Sequence, residues 1–453
     1  MDWATQHVLV VGLGASGVAA AELLLQRGAR VTCNDLRQRE QLLEVASRLE
    51  DAGAELSLGG HPEALFTAAD LIVVSPGVPP LPALSAAERA GVPIAGEVEL
   101  ASRFIEGRIV GITGTNGKST VTSLVGAMAE RTGKPTFVGG NLGTPLIDVV
   151  GDEAAGAGGT VVVELSSFQL ERVDQLRVNV AGLLNVSEDH LDRYPDYAAY
   201  RAAKANIFVG QHASDAAVVP DGDAMCAGMQ AGRAPSHTFG GAGGAVRVVG
   251  GRIVDEASAL DFPVERLRIA GSHNVDNACA AALLARLSGV PHTDVAAVLE
   301  DFAGLPHRMQ LVAEHAGIRY FNDSKATNVG AACASLDGLA GIDGRIVLIA
   351  GGRDKGGDYA PLAERMARVG RTAVVLGEAS ALLRTAISDA GCTVVQADDM
   401  GAAVEIATKA AQPGDAVLLS PACSSFDMFR SFGHRGDVFA ESVAAVTGEA
   451  SWD

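Results

Sequence analysis

Short runs of aliphatic and β-branched residues alternate along the chain with longer segments in which apolar residues recur at helical spacing. Examples of these runs are VLVV at 8–11, LIVV at 71–74, TVVVE at 160–164 and RIVLIA at 345–350. Buried strands that alternate with helices in this way predict parallel sheets with helices packed on their faces. The pattern therefore predicts an α/β protein built from several doubly wound units.

The segment at 108–125, RIVGITGTNGKSTVTSLV, passes from an apolar strand through three glycines into a helix. A turn built from Gly111, Gly114 and Gly117 can direct consecutive backbone N–H groups at one anion. The N-terminus of the helix that follows adds its own unpaired donors. The segment therefore predicts a phosphate-binding loop.

Lys118 and Ser119 follow the last of these glycines. The lysine can neutralise the outer phosphates of a nucleoside triphosphate, and the serine hydroxyl can hold the Mg²⁺ that bridges them. The spacing is a variant of the usual P-loop, because Ile112 stands where that pattern has its first glycine. The alternative is a glycine-rich turn without a ligand, but a Gly-Lys-Ser sequence between a strand and a helix favours the nucleotide.

A second glycine pattern, GxGxxG, follows the first strand at Gly12, Gly14 and Gly17. Asp35 ends the next strand, at the distance where a dinucleotide-binding fold has its ribose-binding acid. The same glycines can also serve only for close packing of a helix on a strand. A later strand ends at the turn Ser75–Gly77, on the edge where open α/β sheets bind ligands.

Polar residues follow further strands in the central region. Glu164 ends the strand TVVVE, where a carboxylate can reach a phosphate-bound Mg²⁺, although it can also be a solvated strand end. His190 lies in NVSEDHLDRYP and is either a metal ligand or an ordinary hydrogen-bonded histidine. Lys204 lies on a helix among apolar neighbours, where a lysine must deprotonate or bind an anion.

A long helix begins after the segment GSHNVDNA, with Asn274 and Asn277 in its first turns. These asparagines can cap the helix or contact a nucleotide. Pro306 in the following segment LPHR marks a linker, and Arg308 beside it offers a free guanidinium.

The last third of the chain again alternates strands and helices, which predicts another doubly wound domain. Its strand ends carry the remaining candidate ligand-binding residues: Asp323, Lys325, Thr327, Lys355, Ser425 and Phe432. The glycine-rich turn around Lys355 is also consistent with a solvated loop, and its Arg353 has no assigned role.

Composition narrows the function. A hydrophobic content of 48% excludes a disordered chain, and 453 residues indicate about three domains. The net charge of −19, without a basic run, argues against nucleic acid and against an anionic membrane surface. The N-terminus resembles the first strand of a folded domain and not a signal peptide, so we expect no membrane insertion. Six scattered cysteines predict reduced, mainly buried thiols of a cytoplasmic protein and no zinc site.

Seven motifs occur in order: GITGTNGKST, VVVELSSFQLE, NVSEDHLDRYP, GSHNVDNA, LPHR, NDSKATN and LLSPACSSFDMFRSF. With them the chain resembles the Mur ligase family over essentially its whole length. The resemblance implies a Rossmann-like N-terminal domain for a UDP-linked substrate at 1–100, a central P-loop ATPase domain at 101–304, and a mobile Rossmann-like C-terminal domain at 305–453. NDSKATN and SPACSSFDMF are similar to the members that add D-glutamate to UDP-N-acetylmuramoyl-L-alanine in peptidoglycan synthesis. Such ligases use ATP to phosphorylate the acceptor carboxylate, and the amine of the incoming amino acid then attacks the acyl phosphate.

The resemblance also implies roles for individual residues. It matches these residues to ATP: Gly114, Thr115, Asn116, Gly117, Lys118, Ser119, Thr120, Asn274, Asn277, Arg308 and Asp323. It matches these to the UDP-linked substrate: Gly14, Ala15, Ser16, Asp35, Leu36, Arg37, Ser75, Gly77 and Asn141. It matches these to D-glutamate: Lys325, Thr327, Lys355, Ser425 and Phe432. Two Mg²⁺ ions are implied, with Ser119, Glu164, His190 and a carbamylated Lys204 as ligands, and the catalytic set is Lys118, Glu164, His190 and Lys204. We expect a monomer.

Other functions remain open at this point. A Mur-like ligase for another amino acid, or a folylpolyglutamate-type synthetase, would share the mechanism, but NDSKATN and the N-terminal glycine pattern weigh against both. An NAD-dependent dehydrogenase built on Gly12 to Asp35 would leave the Gly-Lys-Ser loop unexplained. A regulatory protein would bind ATP without releasing phosphate.

Overall fold

The computed structural model describes residues 2–191, 193–230, 232–269 and 271–448, so Asp192 of the polar segment lies outside the described residues. Three large sheets follow one another along the chain, each with helices on its faces. The predicted α/β architecture is confirmed.

The first sheet has five parallel strands in the order β3-β2-β1-β4-β5. The elements are β1 (His7–Val11), α1 (Ala15–Gln26), β2 (Arg30–Asp35), α2 (Leu43–Asp51), β3 (Glu55–Leu58), α3 (Glu63–Thr67), β4 (Leu71–Val74), α4 (Pro82–Arg89), β5 (Ile94–Gly96) and α5 (Glu97–Ser102). A Cβ at Gly17 would collide with the carbonyl of Gly12. These glycines therefore allow α1 to pack directly on the end of β1.

The second sheet has six parallel strands in the order β11-β10-β9-β6-β8-β7. Its elements are β6 (Arg108–Thr113), α6 (Lys118–Glu130), β7 (Thr136–Gly140), β8 (Thr160–Glu164), α7 (Ser167–Leu170), β9 (Val180–Leu183), α8 (Tyr197–Ala205), β10 (Ala216–Pro220), α9 (Ala224–Met229), β11 (Ser236–Phe239), α10 (Ser272–Leu287) and α11 (His292–Asp301). A small antiparallel sheet between β11 and α10 consists of β12 (Arg247–Val249), β13 (Arg252–Asp255) and β14 (Leu260–Pro263).

The third sheet has the order β15-β16-β20-β17-β18-β19, and only its edge strand β15 pairs antiparallel. Its elements are β15 (Gln310–His315), β16 (Ile318–Asn322), α12 (Val329–Gly338), β17 (Ile346–Gly351), α13 (Ala360–Val369), β18 (Gly370–Leu376), α14 (Ser380–Asp389), β19 (Thr393–Gln396), α15 (Met400–Ala410), β20 (Ala416–Leu419) and α16 (Phe432–Thr447). Each face of this sheet buries its own apolar cluster.

The two segments that connect the three sheets differ in secondary structure. Leu100, near which we predicted the first domain to end, lies inside α5, whose residues are almost all buried. The segment between α11 and β15, which contains Pro306, has no regular secondary structure. None of the helices in the described part of the chain is both long and hydrophobic enough to cross a lipid bilayer.

Candidate active site

The phosphate loop is shorter than the sequence predicts. Gly111 lies inside β6, paired with Val163 and Ala181, and a Cβ there would press on Val178. The expectation that Gly111 forms part of the turn is therefore wrong, because this glycine serves packing under the sheet. The turn itself runs from residue 114 to 117, and Gly117 has a φ of 82°.

The segment after β9 holds this loop in place. The backbone N–H of Thr115 donates to the Asn185 carbonyl at 3.0 Å, and that of Asn116 donates to Asn185 Oδ1 at 2.9 Å. The Thr115 hydroxyl donates to the Ser187 carbonyl at 3.1 Å. These two N–H groups are thus engaged, and the donors left for an anion are those at the N-terminus of α6, which has no side-chain cap.

Two lysines converge on the loop. Lys118 Nζ donates to the carbonyls of Gly114 and Thr115 at 2.9 and 2.8 Å, and Lys204 Nζ donates to the Gly114 carbonyl at 2.7 Å. Lys204 is buried, with Nζ 4.8 Å from the centre of the Tyr200 ring. Burial and the nearby charge of Lys118 lower the pKa of Lys204 well below its ordinary value. Burial likewise lowers the pKa of Lys118.

Glu164 faces the loop from the end of β8. Its Oε1 accepts a hydrogen bond from Asn141 Nδ2 at 2.6 Å, whereas its buried Oε2 has no hydrogen-bond partner. Burial opposes ionisation of this carboxyl, but the charge of Lys118 and the hydrogen-bonding groups of Ser119 and Asn141 prevail, so its pKa is lowered. An ionised, unpartnered carboxylate oxygen and the Ser119 hydroxyl are hard donors of the kind Mg²⁺ prefers.

No three histidine, cysteine, aspartate or glutamate side chains converge into a metal cage within the described ranges. A Mg²⁺ ion held mainly by substrate phosphates needs only one or two protein carboxylates. His190 has a φ of 55°, lies edge-on to Phe168 at 4.8 Å between ring centres, and places Nε2 3.7 Å from Asp189 Oδ2. The residues present thus fit a phosphate-bound Mg²⁺ better than a preformed cage.

A cavity of about 220 Å³ opens between the phosphate loop and the third sheet. It brings together residues that the sequence matched to ATP or to catalysis, namely Thr115, Asn116, Gly117, Lys118, Thr120, Glu164, His190, Asn274, Asn277, Arg308 and Asp323. Gly114, Ser119 and Lys204 lie outside its lining. Arg308 Nη2 donates to Ser119 Oγ at 2.8 Å, which joins the third sheet's entry segment to the phosphate loop.

The asparagines on α10 and the aspartate after β16 are held by the protein itself. Asn277 Nδ2 donates to Asn274 Oδ1 at 3.0 Å, and a Cβ at Gly117 would meet Asn277 Oδ1. Asp323 accepts bonds from the Met309 N–H at 3.2 Å and from the Ser420 hydroxyl at 3.2 Å. Burial raises the pKa of Asp323 to about 6.

The third sheet supplies two lysines to the same region. Lys325 Nζ lies 3.8 Å from the centre of the Phe432 ring, and burial lowers the pKa of this lysine to about 8. Lys355 Nζ lies 3.7 Å from Asp189 Oδ1, and Asn328 Nδ2 donates to Asp189 Oδ2 at 3.0 Å. Thr327 lines the 220 Å³ cavity with both lysines. Ser425 is buried, and neither it nor Phe432 lines that cavity.

A larger cavity of about 690 Å³ opens at the carboxyl edge of the first sheet. All nine residues matched to the UDP-linked substrate line it: Gly14, Ala15, Ser16, Asp35, Leu36, Arg37, Ser75, Gly77 and Asn141. The N-terminus of α1 opens into it without a side-chain cap, which suits an anion. Asp35 Oδ2 accepts a hydrogen bond from the Leu13 N–H at 2.7 Å and pairs with Arg37. Its pKa is about 2, because the bonds from Arg37 and Leu13 outweigh the effect of burial.

Asn141 lines both cavities. Asn141 thus lies where the two cavities approach each other.

Several positioning residues were missed by the sequence analysis. Asn185, Asp189 and Asn328 lie in motifs that we recognised, but their partners are 69 to 166 residues away in the chain. Arg353, which had no role, pairs its backbone with that of Ser424, while its side chain contacts Glu378 at the surface. All six cysteines are free thiols, and five of them are buried.

The fold and the two cavities that share Asn141 define a nucleotide-dependent enzyme of three sheets. Three family profiles match the chain: "Mur ligase MurD-like, N-terminal domain" at 6–96, "Mur ligase middle domain" at 112–285 and "Mur ligase, glutamate ligase domain" at 307–423. The chain belongs to the Mur ligase family.

Curated relatives match the chain over almost its whole length. UDP-N-acetylmuramoylalanine–D-glutamate ligase of Anaeromyxobacter dehalogenans is 47% identical over 96% of each chain. The enzyme of the same name from Syntrophotalea carbinolica is 42% identical over 99% of each chain. Among solved structures, a pseudomurein peptide ligase type C from Methanothermus fervidus has a TM-score of 0.62 at 18% identity and covers 98% of this chain and 100% of its own. MurF ligase from Thermotoga maritima, solved in complex with ADP, has a TM-score of 0.60 at 15% identity and covers 99% of both chains. These structural likenesses concern the fold.

Proposed function

We propose that the protein is an ATP-dependent carbon–nitrogen ligase that adds D-glutamate to UDP-N-acetylmuramoyl-L-alanine and releases ADP and phosphate, a step of peptidoglycan precursor synthesis. The observation that carries the proposal is the position of Asn141 on both cavities. A UDP group in the larger cavity leaves the acyl end of the substrate directed toward the phosphate loop. The D-glutamate ligases among the relatives support the choice of amino acid.

The protein promotes this reaction mainly by supplying positive charge and by positioning the substrates, and not by covalent catalysis. The substrate carboxylate attacks the γ-phosphate, ADP leaves, and the amine then attacks the acyl phosphate and expels phosphate. Several negative charges meet in the first step, so its transition state is stabilised by positive charge arranged in advance. Lys118 at the loop and Arg308 against Ser119 supply that charge from two sides. Closure of the second and third domains around the substrates would exclude water and strengthen both interactions.

Two Mg²⁺ sites are part of the proposal. Ser119 and Glu164 would hold the ion on the nucleotide phosphates, and Glu164, His190 and Lys204 the ion beside the acceptor carboxylate. Bound Mg²⁺ would neutralise phosphate charge and orient the reacting oxygens. Lys204 would take part as a carbamate. Its lowered pKa leaves a larger fraction of the amine neutral, which is the form that reacts with carbon dioxide.

The amino-acid site lies at the carboxyl edge of the third sheet in this proposal, with Lys325, Thr327, Lys355, Ser425 and Phe432. A dicarboxylic amino acid requires cations and hydroxyl donors, and these residues provide both. A carboxylate of D-glutamate would pair with the Lys355 ammonium group, whose Nζ lies 3.7 Å from Asp189 Oδ1 in the structure.

Three further properties belong to the proposal. The domains would comprise residues 1–100, 101–304 and 305–453, with the third moving against the second during turnover. The protein would act as a monomer. It would work in the cytoplasm, which is consistent with six free thiols.

Phosphate release tests the function directly. Purified protein with ATP, Mg²⁺ and UDP-N-acetylmuramoyl-L-alanine should release phosphate with D-glutamate and not with L-glutamate, meso-diaminopimelate, L-lysine or D-alanine. Release with another amino acid would keep the ligase chemistry and refute the specificity. The absence of release with all of them would refute the ligase.

Lys204 has a test of its own. Lys204→Ala should be nearly inactive and should recover part of its activity when short-chain carboxylic acids replace the carbamate. Lys204→Arg is the matched control, because it keeps the positive charge but cannot be carbamylated in the same way and should not be rescued. Equal behaviour of the two variants with the acids would exclude the carbamate.

A further inference from the structure

Arg435 is among the largest fully buried side chains of the described residues, and it points under the carboxyl edge of the third sheet from the first turn of α16. No aspartate or glutamate within the described residues forms an ion pair with it. Burying an arginine without a carboxylate is costly unless its donors are satisfied. The stability of this buried guanidinium therefore depends on its hydrogen-bond partners.

The guanidinium donates to backbone and hydroxyl oxygens on three separate strand-end segments. Nη2 and Nε donate to the carbonyl and hydroxyl of Ser324 at 2.8 and 3.0 Å, after β16. Nη1 is within 3.4 Å of the Gly351 carbonyl at the end of β17, and within 3.2 and 3.3 Å of the Cys423 and Ser424 carbonyls after β20. One planar group thus joins three neighbouring strands of the sheet.

Each of these segments carries part of the proposed amino-acid site. Ser324 precedes Lys325, Ser424 precedes Ser425, and the turn after Gly351 carries Lys355. The Ser324 hydroxyl also donates to the carbonyl of Phe432 at 2.8 Å. Arg435 is therefore linked through the backbone to every segment that would hold D-glutamate.

We propose that Arg435 is a positioning residue that sets the spacing of the three strand-end segments and thereby the affinity for the amino-acid substrate. The inference rests on the proposed function for the location of the amino-acid site. Arg435 does not touch the substrate in this arrangement. It acts because its rigid fork of donors fixes the positions of carbonyls at the sheet edge, one of which, that of Ser424, also accepts the Arg353 N–H at 2.9 Å.

The ATP side should depend on Arg435 much less. Asp323 directly precedes Ser324, but its carboxylate is held by Met309, Ser335 and Ser420. The phosphate loop is held by Asn185 and Ser187, and the guanidinium contacts none of these five residues. A rise in KM that is confined to the amino-acid substrate would thus indicate a positioning role. A purely structural role would lower the fraction of folded protein and hence the apparent kcat, and it would leave the KM values for all substrates unchanged.

The test compares Arg435→Lys and Arg435→Met with wild type in the phosphate-release assay. Lysine retains a charge but cannot span three segments, and methionine fills part of the volume without donors. We expect the KM for D-glutamate to rise about tenfold in Arg435→Lys and more in Arg435→Met, because small displacements of binding groups carry large penalties. The KM values for ATP and for the UDP-linked substrate should change less than about twofold.

Phe439→Leu is the matched control, since Phe439 is also fully buried one turn further along α16 and packs in the apolar cluster on that face. It should lower the melting temperature without a selective change in the KM for D-glutamate. If Arg435 variants do not fold, Ser324→Ala tests the same network with a smaller change, and a rise of about threefold in that KM is expected.

Parallel changes of all three KM values, or an unchanged KM for D-glutamate in a folded Arg435 variant or in Ser324→Ala, would overturn the inference. The assay of wild type with other amino acids separates this from a failure of the proposed function. If wild type uses a different amino acid, the specificity proposal fails and the same comparison is made with that amino acid.

Discussion

Glu97 is buried where the first and second sheets meet, and its ionisation should have a measurable effect on stability. It is the first residue of α5 and is 1% exposed. Its Oε1 accepts a hydrogen bond from the Ile147 N–H at 2.6 Å, and its Oε2 has no partner. Burial, together with the charge of Asp148, raises the pKa of Glu97 to about 7. The carboxyl is therefore protonated in the folded protein at mildly acidic pH.

The sign of the pH dependence follows from this shift. The folded pKa of about 7 lies above the ordinary glutamate pKa of 4.5 in an unfolded chain. The folded state thus holds the proton more tightly, so this contribution to stability is complete below pH 4.5 and is lost as the pH rises toward 7. A raised pKa of this size corresponds to a loss of about 2.5 kcal/mol in the free energy of unfolding between pH 5 and pH 8.

Glu97→Gln removes the titration and keeps the shape and the acceptor for Ile147. Urea denaturation of both proteins from pH 5 to pH 8 should show that the variant gains about 2.5 kcal/mol relative to wild type over this interval. Glu44→Gln makes the same charge change on an exposed position of α2 and serves as the control for net charge. A constant difference between wild type and Glu97→Gln at all pH values would refute the reasoning.

Three other changes test the site and the domain contacts. Lys118→Ala should reduce phosphate release by about a thousandfold with an unchanged melting curve, because the outer phosphates lose their cation; activity within tenfold of wild type would remove this lysine from the mechanism. Glu99→Ala should lower the free energy of unfolding by about 2–3 kcal/mol in urea denaturation, because Glu99 Oε2 accepts the backbone N–H groups of residues 174–176 at 3.0 to 3.1 Å. Glu99→Gln keeps an acceptor and should lose less stability. Phe432→Leu should raise the KM for D-glutamate about fivefold in the phosphate-release assay by removing the ring under Lys325, and Phe432→Tyr should not; equal KM values for all three proteins would contradict this contact.

Much of the architecture could be predicted because its causes are local in the sequence. Apolar runs bounded by glycine are buried parallel strands, and a polar residue directly after such a run lies at the carboxyl edge of a sheet. Glu164, Asp323 and Asp35 were recognised in this way, and each follows or ends a strand. The Gly-Lys-Ser sequence likewise predicts a helix N-terminus, since its donors and charge lie within a few residues of one another.

What the sequence determined by itself is therefore the order of strands and helices, the phosphate loop and the polar residues at strand ends. Tertiary structure alone decided that Gly111 serves packing, that Asn141 lines both cavities and that Arg435 joins three strand ends. In the sequence, Arg435 is an ordinary charged residue in a helix, and nothing local distinguishes it from an exposed one. Its role depends on which strands are neighbours in the sheet, and the order β16-β20-β17 results from packing between segments about 100 residues apart in the chain.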